Sequence, residues 1–477
     1  MSDALAYIDP TQIDFDNQKL VRQLVLALMN RIEALEQTVS ALKDEIQHLK
    51  DENARLKGEK PKPKFKANTT EQEPEPHPKQ RKRGKPRPER KARIQVDETQ
   101  TLDVEHLPPD ARFLGYREVI VQEIVFQRRN VRYLLKRYYS EAEGRFYEAP
   151  SPVQGHSYGA QLRSFVLMAY YELRIPQQKI VDLLTAQGIV ISEGTVSSML
   201  TKQASDAFES EYKAIIKGGL TSSEHQHIDH TGIRQKGISH QVAVLCTSAY
   251  AAFFINRYRN KETVGDLLKD LLGGTLRDYI KVLVSDNAGE FMAQALLHQL
   301  CWVHEIRHYK KLKGAYFKSF LREKEAFLDR LYAYYDRLRQ WRKDPSEAEA
   351  RGLEAEFDSL FSGEGITFEA LRDRIALTRG RKEALLLCLT DARIPLENNE
   401  AERSLREIVV KRKISYGTRS EAGSKAWSVM LTLVETARKQ GVNLYAYLHD
   451  RLSGEMAMPS LASCILNAAA QPALATP

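Results

Sequence analysis

The sequence contains few cysteines, and they do not cluster. No two of them form a Cys-x-x-Cys pair, so neither a disulfide framework nor a zinc ribbon is predicted. The chain also lacks an apolar run long enough to span a bilayer, and its N-terminus lacks the basic and then apolar segments of a secretion signal. We therefore expect a cytoplasmic protein without a membrane partner. The four cysteines are Cys246, Cys301, Cys388 and Cys464.

The length and charge of the chain point to several folded units and an anionic partner. A chain of 477 residues is too long for one ordinary hydrophobic core, so two or three folded units joined by linkers are expected. Its 71 Lys and Arg residues exceed its 63 Asp and Glu residues by eight. This mildly basic balance favours a polyanion such as nucleic acid as the partner.

A heptad repeat runs through residues 18–57. Its a positions are mainly β-branched and its d positions are all leucine, which favours a parallel two-stranded coiled coil, and the polar Asn53 at an a position would fix the register. We predict a homodimer through this helix; the alternative is an amphipathic helix packed on its own domain. The repeat consists of Val25, Leu28, Ile32, Leu35, Val39, Leu42, Ile46, Leu49, Asn53 and Leu56.

A basic linker follows at residues 58–96. It is rich in Pro, Lys, Arg and Glu and has almost no large apolar side chains, so it is predicted to be disordered. Arg81, Lys82 and Arg83 are candidate phosphate contacts, and binding through them would weaken as salt is added. A solvated tether is an alternative interpretation that is compatible with such contacts.

Residues 97–215 are predicted to form a DNA-binding region. A helical pattern at 176–184 is interrupted at Gln187-Gly188, and a second helix begins after Ser192, which is the order of a helix-turn-helix. An ordinary helical hairpin would give the same pattern. The residues that could face a DNA groove are Ser197, Ser198 and Lys202.

Two predicted strands deliver an acid to a sheet edge. The segment 225–229 reads as a strand that carries Asp229, and the apolar strand at 280–285 is followed directly by Asp286. Both acids stand beside small residues, a pattern that favours metal ligation over simple strand capping. After Asp286 the sequence predicts a helix over 292–300 and a short strand or turn over 301–306.

A third acid comes from a late helix. This helix is predicted to begin near Asn398-Asn399 and to carry Glu402, which together with the two strand-end aspartates could hold two divalent metal ions. Glu397 and Glu400 are alternative third ligands. Helix phase places Glu402 one turn from the Asn pair.

These residues carry a resemblance to a known family. The motifs and the order of the predicted elements resemble the ribonuclease H-like core of DDE transposases, and most closely the insertion-sequence-66 family. The resemblance covers roughly residues 97–452 and the heptad helix. Two features depart from the family: its cysteine-rich zinc segment is absent, and Glu397 stands where Asp is usual. The motifs are Asp229-His230-Thr231, Ser285-Asp286, Cys301-Trp302-Val303-His304 and Asn398-Asn399-Glu400-Ala401-Glu402-Arg403-Ser404-Leu405-Arg406.

The resemblance implies an α/β fold with an ordered set of domains. A ribonuclease H-like catalytic domain is expected at 216–452, with a helical insertion at 310–390. The helix-turn-helix region and the N-terminal coiled coil precede this domain, and a disordered tail is expected at 453–477.

The resemblance also implies an activity. A DDE transposase cleaves the ends of its transposon and joins them to target DNA, using Mg²⁺ or Mn²⁺ held by Asp229, Asp286 and Glu402. The implied partners are double-stranded DNA, both transposon ends and target, and small accessory proteins. The implied location is the bacterial cytoplasm, in association with the nucleoid.

Supporting roles follow from the same resemblance. We expect the active site to be braced by Cys301, His304, Asn398 and Asn399. Two further residues are expected to anchor their helix or to meet DNA phosphates, namely Arg403 and Arg406.

Two other functions remain open on the sequence. A DNA-binding regulatory protein would need only the helix-turn-helix and the coiled coil, with an inactive acid cluster. A zinc metalloprotease is suggested by the H-E-x-x-H spacing of His304, Glu305 and His308. The basic residues that follow His308 and the chance occurrence of short motifs make the protease the weaker alternative.

Overall fold

The computed structural model describes most of the chain. The described residues are 17–56, 96–102, 126–152, 157–256, 278–286, 296–312 and 317–470, with scattered positions between 116 and 124 and between 269 and 274. The chain divides into two units, one made of residues 1–44 and 132–477 and the other of residues 45–131. Nearly all of the predicted basic linker, including Arg81, Lys82 and Arg83, lies outside the described residues.

The described part of the chain is a mixed α/β structure. The helices are α1 (Gln18–Leu56), α2 (Ala160–Tyr171), α3 (Gln177–Ala186), α4 (Glu193–Ser198), α5 (Ala204–Thr221), α6 (Trp302–Lys310), α7 (Lys318–Trp341), α8 (Glu347–Leu360), α9 (Glu369–Arg379), α10 (Lys382–Leu386), α11 (Asn399–Ser415), α12 (Glu421–Lys439), α13 (Leu444–Ser453) and α14 (Leu461–Ala470). The strands are β1 (Arg137–Ser140), β2 (Arg145–Glu148), β3 (His225–Gln235), β4 (Ile238–Cys246), β5 (Ala251–Asn256), β6 (Val282–Ser285), β7 (Leu297–Leu300) and β8 (Gly417–Thr418). None of the described helices is long and apolar enough to cross a membrane.

The main sheet is built around β3. Its strand order is β5-β4-β3-β6-β7, with β4 antiparallel to both β3 and β5, and with β6 parallel to both β3 and β7. The two-residue turn between β3 and β4 uses Lys236 and Gly237, whose φ angles of 50° and 80° are the left-handed values that such a turn requires. The sheet is therefore antiparallel on one side of β3 and parallel on the other.

One hydrophobic core joins this sheet to the helices around it. Helix α12 packs on both β5 and α5. It also protects the outer strand, because the backbone N–H of Phe253 in β5 donates to Thr432 Oγ1 of α12 at 2.9 Å. A hydroxyl partner for an edge-strand N–H removes a group that would otherwise pair with another chain.

A second core joins the predicted helical insertion to α6 and to the ends of β6 and β7. Trp302 at the start of α6 contacts Tyr334 of α7 and Phe357 of α8, with ring centroids 5.6 Å and 6.2 Å apart. All three side chains are fully buried, and Trp302 Nε1 donates to the carbonyl of Leu385 at 2.9 Å. Replacing a buried aromatic side chain by alanine typically lowers the free energy of unfolding by about 3–5 kcal/mol. This aromatic packing therefore fixes the position of α6.

The helix, turn and helix predicted near residue 188 are present. Helix α3 ends before Gly188, whose φ is 74°, and Ser192 Oγ caps α4 by accepting from the N–H of Thr195 at 3.1 Å. A π-helical segment, Met199–Gln203, then joins α4 to α5. Among the predicted DNA contacts, Lys202 is exposed, whereas Ser197 and Ser198 are half-buried. Their contact with DNA stays a prediction.

Two predicted elements next to the acids differ from the structure. A helix was expected over 292–300, but the described end of this range forms strand β7 (Leu297–Leu300), which pairs with β6; residues 292–295 lie outside the described residues. The short strand or turn expected over 301–306 is instead the first part of α6. The polar side chain of Gln299 is buried here: it donates to the carbonyl of Leu385 at 3.1 Å and accepts from the N–H of Cys388 at 2.8 Å. Partners from a distant segment stabilise a strand that local propensity does not favour.

The C-terminal segment is also more ordered than the sequence suggests. Helix α14 (Leu461–Ala470) lies within the predicted disordered tail, and it packs on α5 through the buried side chains of Leu461 and Ile465. The N–H of Leu461 donates to Glu211 of α5 at 2.9 Å. Ordering this short helix costs conformational entropy. The burial of Leu461 and Ile465 and the hydrogen bond to Glu211 offset that cost.

Helix α1 presents two different faces. The a and d positions of its heptad are half-exposed, between 43% and 51% for the six from Val25 to Leu42. The opposite face packs on the second core through Leu26 and Met29. Asn30 lies on that packed face and caps α9, because its Oδ1 accepts from the N–H of Glu369 at 2.9 Å. The helix is therefore held by one face while its heptad face remains open.

Candidate active site

The parallel pairing of β3 and β6 aligns the two predicted aspartates. In this register His225 pairs with Val282, and His227 pairs with Val284. Carrying the register two residues further places Asp229 opposite Asp286, the residue directly after β6. Neighbouring strands lie about 4.8 Å apart, and paired residues point to the same face of a sheet. Both aspartates are half-buried, and the register brings them side by side at the point where β6 ends. The strand predicted over 225–229 continues to Gln235, so Asp229 lies within β3 and not at the strand end that the sequence predicted.

Asn398 anchors the start of α11 to this part of the sheet. Its Nδ2 donates to the carbonyl of Ile228 at 2.8 Å, and its Oδ1 lies 3.0 Å from Nδ1 of His227, which therefore donates. Its backbone N–H contacts Cys301 Sγ at 3.2 Å. Asn398 is fully buried, so these contacts set where α11 begins relative to β3 and α6. Glu402 then follows one helical turn later.

The carboxylate of Glu402 faces α6. Arg307 donates to both of its oxygens, from Nη1 to Oε1 at 3.0 Å and from Nη2 to Oε2 at 3.3 Å. His304 Nε2 lies 3.5 Å from the same Oε1. Burial lowers the pKa of His304, and the nearby carboxylates of Glu402 and Asp286 oppose that shift. The hydrogen bond to Glu402 raises the pKa of Arg307, and the charge of Asp229 adds to the shift. The charges of Glu402 and Asp286 thus act on His304, and those of Glu402 and Asp229 act on Arg307.

The two competing glutamates face other partners. Glu400 accepts from Lys439 Nζ of α12 at 2.9 Å and lies 3.6 Å from Arg403. Glu397 accepts from the hydroxyl of Tyr335 and from the side chain of Asn399. Only Glu402, among these three described glutamates, points to the helix that follows β7.

The carboxylate donors suit a hard divalent cation, although they do not form a closed cluster. Carboxylate oxygens are the protein ligands that Mg²⁺ prefers. Within the described residues, no group of three or more His, Cys, Asp and Glu side chains stands close enough to hold a metal ion. Both oxygens of Glu402 are instead taken by the Arg307 guanidinium. The chemistry of the three carboxylates therefore fits such a cation, while the Glu402 carboxylate is bound by Arg307.

Two residues of the site escaped the sequence reasoning. Arg307 lies three residues after His304, on the same helical face, and recognition of α6 as a helix would have revealed it. His298 of β7 has its Nε2 2.7 Å from Ser285 Oγ, and burial lowers its pKa to about 4. Ser285 Oγ also donates to the backbone carbonyl of Asp286 at 2.5 Å, so His298 and Ser285 hold the main chain where β6 ends.

The H-E-x-x-H sequence does lie on a helix, but its glutamate is committed elsewhere. Glu305 is 3% exposed, and its carboxylate accepts from Arg374 and Thr378 of α9 and lies 3.7 Å from Arg381. A protease of this type needs that glutamate free to act as a general base. The buried ion pair instead ties α6 to α9.

Basic side chains line a cleft beside the start of α11. The cleft has a volume of about 940 Å³. It lies on the side of α11 that carries Glu400 and Arg403. Arg406 is exposed and lines a smaller neighbouring cleft of about 310 Å³. The larger cleft, called the basic cleft below, is lined by five basic side chains, Arg337, Arg339, Arg342, Lys343 and Arg403, and by three acidic ones, Asp336, Glu397 and Glu400.

Two relatives and one family profile match parts of this chain. An uncharacterized protein y4jO of Sinorhizobium fredii (strain NBRC 101917 / NGR234) is 37% identical over 182 residues, which are 38% of this chain and 54% of that protein. A second uncharacterized protein of the same strain, y4qI, is 30% identical over 165 residues, 32% of this chain and 30% of that protein. The chain thus spans about half the length of the first relative and less than a third of the second. The profile of the family described as Transposase IS66 family matches residues 155–426, more than half of the chain, and the protein therefore belongs to the IS66 family of transposases.

Proposed function

We propose that this protein is a DNA transposase that cleaves the ends of its element and joins them to target DNA. The observation that carries the proposal is the register of β3 and β6, which aligns Asp229 with Asp286. Glu402 on α11 would complete the ligand set for Mg²⁺ or Mn²⁺. When bound, two such ions supply an activated attacking oxygen and stabilise the leaving oxygen in an in-line displacement.

The strand order supports a ribonuclease H-like catalytic domain. Three antiparallel strands, β3 to β5, are followed by two parallel strands on the other side of β3. The acids stand on the central strand, directly after the fourth strand, and on a late helix. This is the arrangement that the DDE core requires, with the helical insertion entering between β7 and α11.

The chain itself would bind and orient the substrate without a covalent intermediate. Asp229, Asp286 and Glu402 would hold the metal ions, while Asn398 keeps α11 against β3. The basic cleft, the helix-turn-helix and the basic linker would hold double-stranded DNA through its phosphates. Small accessory proteins are a further proposed partner of this activity.

The identity of the third ligand can be tested on α11. We expect Glu402→Gln to lower Mg²⁺-dependent cutting of labelled element ends by about a hundredfold or more, because a neutral amide replaces a charged ligand. Glu400→Gln is the matched control: it lies on the same helix, faces Lys439, and should stay within about threefold of wild type.

Gel-shift affinity should remain unchanged in both variants. Loss of cutting by Glu400→Gln with normal cutting by Glu402→Gln would move the ligand to Glu400. Normal cutting by both variants would exclude Glu400 and Glu402 and leave Glu397 as the remaining candidate for the third ligand. Absence of cutting by the wild-type protein itself would favour the regulatory DNA-binding protein.

The open heptad face of α1 supports a homodimer through a parallel coiled coil. We expect Leu42→Lys, at a d position, to raise the dimer dissociation constant at least about thirtyfold, since a buried leucine contributes about 2 kcal/mol or more. Ala41→Lys, at the neighbouring outward position, should leave the dimer intact. Sedimentation velocity over a range of concentrations measures both. A fully dimeric Leu42→Lys protein would assign self-association to another surface.

A further inference from the structure

We infer that Arg307 is a positioning residue that exchanges partners during the reaction: it holds Glu402 before metal binds and contacts a DNA phosphate once the metal has taken that carboxylate. The inference rests on the proposed function, since it assumes that Glu402 is a metal ligand. It adds Arg307 to the site and proposes that this residue changes its partner from Glu402 to a DNA phosphate, which the three acids alone do not imply.

The geometry of the pair is that of a two-pronged contact. Two parallel hydrogen bonds, at 3.0 Å and 3.3 Å, join the guanidinium to the two oxygens of Glu402. The guanidinium occupies one lone pair on each oxygen and places a positive charge beside the carboxylate, so a metal ion that approaches the same oxygens is repelled. The Arg307 contact and metal ligation by Glu402 therefore compete.

His304 keeps the guanidinium in this position. Arg307 Nη1 lies 3.2 Å from His304 Nε2, and because arginine only donates, the imidazole accepts. The His304 side chain thus orients Arg307 toward Glu402.

Arg307 is free to move although its helix is not. The Arg307 side chain is 44% exposed, and its reach allows it to turn toward solvent. The backbone of α6 is held by Trp302 and Tyr309, which are fully buried, and by the Glu305 ion pair with Arg374. Exchange of partners would therefore need only side-chain rotation.

The charges favour exchange in one direction. Three carboxylates carry three negative charges, and without metal the single positive charge of Arg307 offsets part of their repulsion. Two divalent ions bring four positive charges, which repel a guanidinium at the same place. The phosphate of a bound DNA end is then the nearest anion, and a guanidinium binds phosphate in the same two-pronged way.

The first test measures metal binding without DNA. We expect Arg307→Met to tighten Mn²⁺ binding, followed by electron paramagnetic resonance, about fivefold or more, because a competing cation is removed. Arg403→Met is the matched control: it removes an exposed arginine of α11 that pairs with Glu400, and Mn²⁺ affinity should not change. Arg307→Lys, which keeps the charge but makes only one contact, should fall between wild type and Arg307→Met.

The second test measures phosphate contact. In Ca²⁺, which should support binding without cutting, Arg307→Met should reduce the slope of log affinity for element-end DNA against log salt by about 0.9, the loss of one phosphate contact. Without divalent ions the slope should equal that of wild type. The melting temperature of each variant should be measured to check folding. We expect little change for the Arg307 variants, because this side chain is exposed.

The outcomes separate this inference from the proposed function. If Asp229→Asn abolishes Mn²⁺ binding while Arg307→Met leaves Mn²⁺ affinity unchanged, the metal centre stands and the inference is overturned. An unchanged salt slope in Ca²⁺ also overturns it. If wild type and Arg307→Met both fail to bind Mn²⁺, the proposed metal centre falls and the inference falls with it.

Discussion

Asp286→Asn is expected to reduce Mg²⁺-dependent cleavage of labelled element ends about a thousandfold or more, with DNA affinity close to wild type. Asparagine keeps the shape and hydrogen bonding of the side chain but removes a negative charge. Two divalent ions carry four positive charges, and the three proposed carboxylates supply only three negative ones, so the substrate phosphate must supply the rest. Loss of one carboxylate therefore weakens metal binding where the chemistry occurs. Asp229→Asn should behave in the same way, because it stands opposite Asp286 in the strand register.

A surface aspartate provides the control for this pair. Asp358→Asn removes the same charge from an exposed carboxylate that contacts Lys382, far in sequence from both strands. Its cleavage rate should equal that of wild type. Cleavage, gel-shift affinity and melting temperature should be measured together. If the aspartates only capped strands, Asp286→Asn would lower the melting temperature modestly and leave cleavage intact. Normal cutting by Asp286→Asn would remove the two-metal proposal.

Glu305→Ala is expected to lower the free energy of unfolding by about 3–5 kcal/mol, the cost of leaving a buried ion-pair partner uncompensated. Glu305 is 3% exposed and accepts from Arg374, whose side chain is only 11% exposed. Removal of the carboxylate leaves the Arg374 guanidinium buried without its ionic partner and removes one of the two acceptors of the Thr378 hydroxyl. Urea denaturation followed by circular dichroism measures the loss.

The control for this stability prediction is an exposed pair. Glu347→Ala breaks an ion pair between two largely exposed side chains, Glu347 and Arg351, and should leave the urea midpoint unchanged. The comparison also tests the protease alternative. A general base would be dispensable for folding, so Glu305→Gln would then abolish zinc-dependent peptide cleavage without a loss of stability. A urea midpoint of Glu305→Ala equal to that of Glu347→Ala would contradict the structural role of the pair.

Asn398 explains how a distant helix is brought to the sheet. It contacts β3 through His227 and Ile228 and contacts the start of α6 through Cys301, so three segments meet at one buried amide. Cys301 and Asn398 were expected to brace the site from the family resemblance, and the structure places them in direct contact. Their role in catalysis stays a prediction, which the same cleavage assay can test on variants of Cys301 and Asn398.

Features that depend only on neighbouring residues could be predicted from the sequence. The strand that carries Asp229, the strand that ends before Asp286, and the helix that begins at Asn399 follow from apolar runs and from residues that cap or interrupt elements. The heptad of α1 was equally visible, because a period of 3.5 residues does not depend on the rest of the fold. The IS66 family was recognisable from its motifs for the same reason, since each motif is contiguous.

Tertiary contacts decided what local pattern left open. β7 and α6 were assigned to the wrong element types, since runs of four to nine residues with mixed polarity carry almost no periodic signal and their partners come from β6 and α10. The choice of Glu402 over Glu400 as the acid facing α6 depends on Arg307, 95 residues away in sequence. Likewise, Asn30 caps α9 across 339 residues. The sequence by itself determined which residues could do chemistry and where most elements lie. The pairing of strands and the packing of helices decided which of those residues come into contact. Such contacts join segments that are far apart in the chain, and separation along the chain does not determine distance in the folded protein.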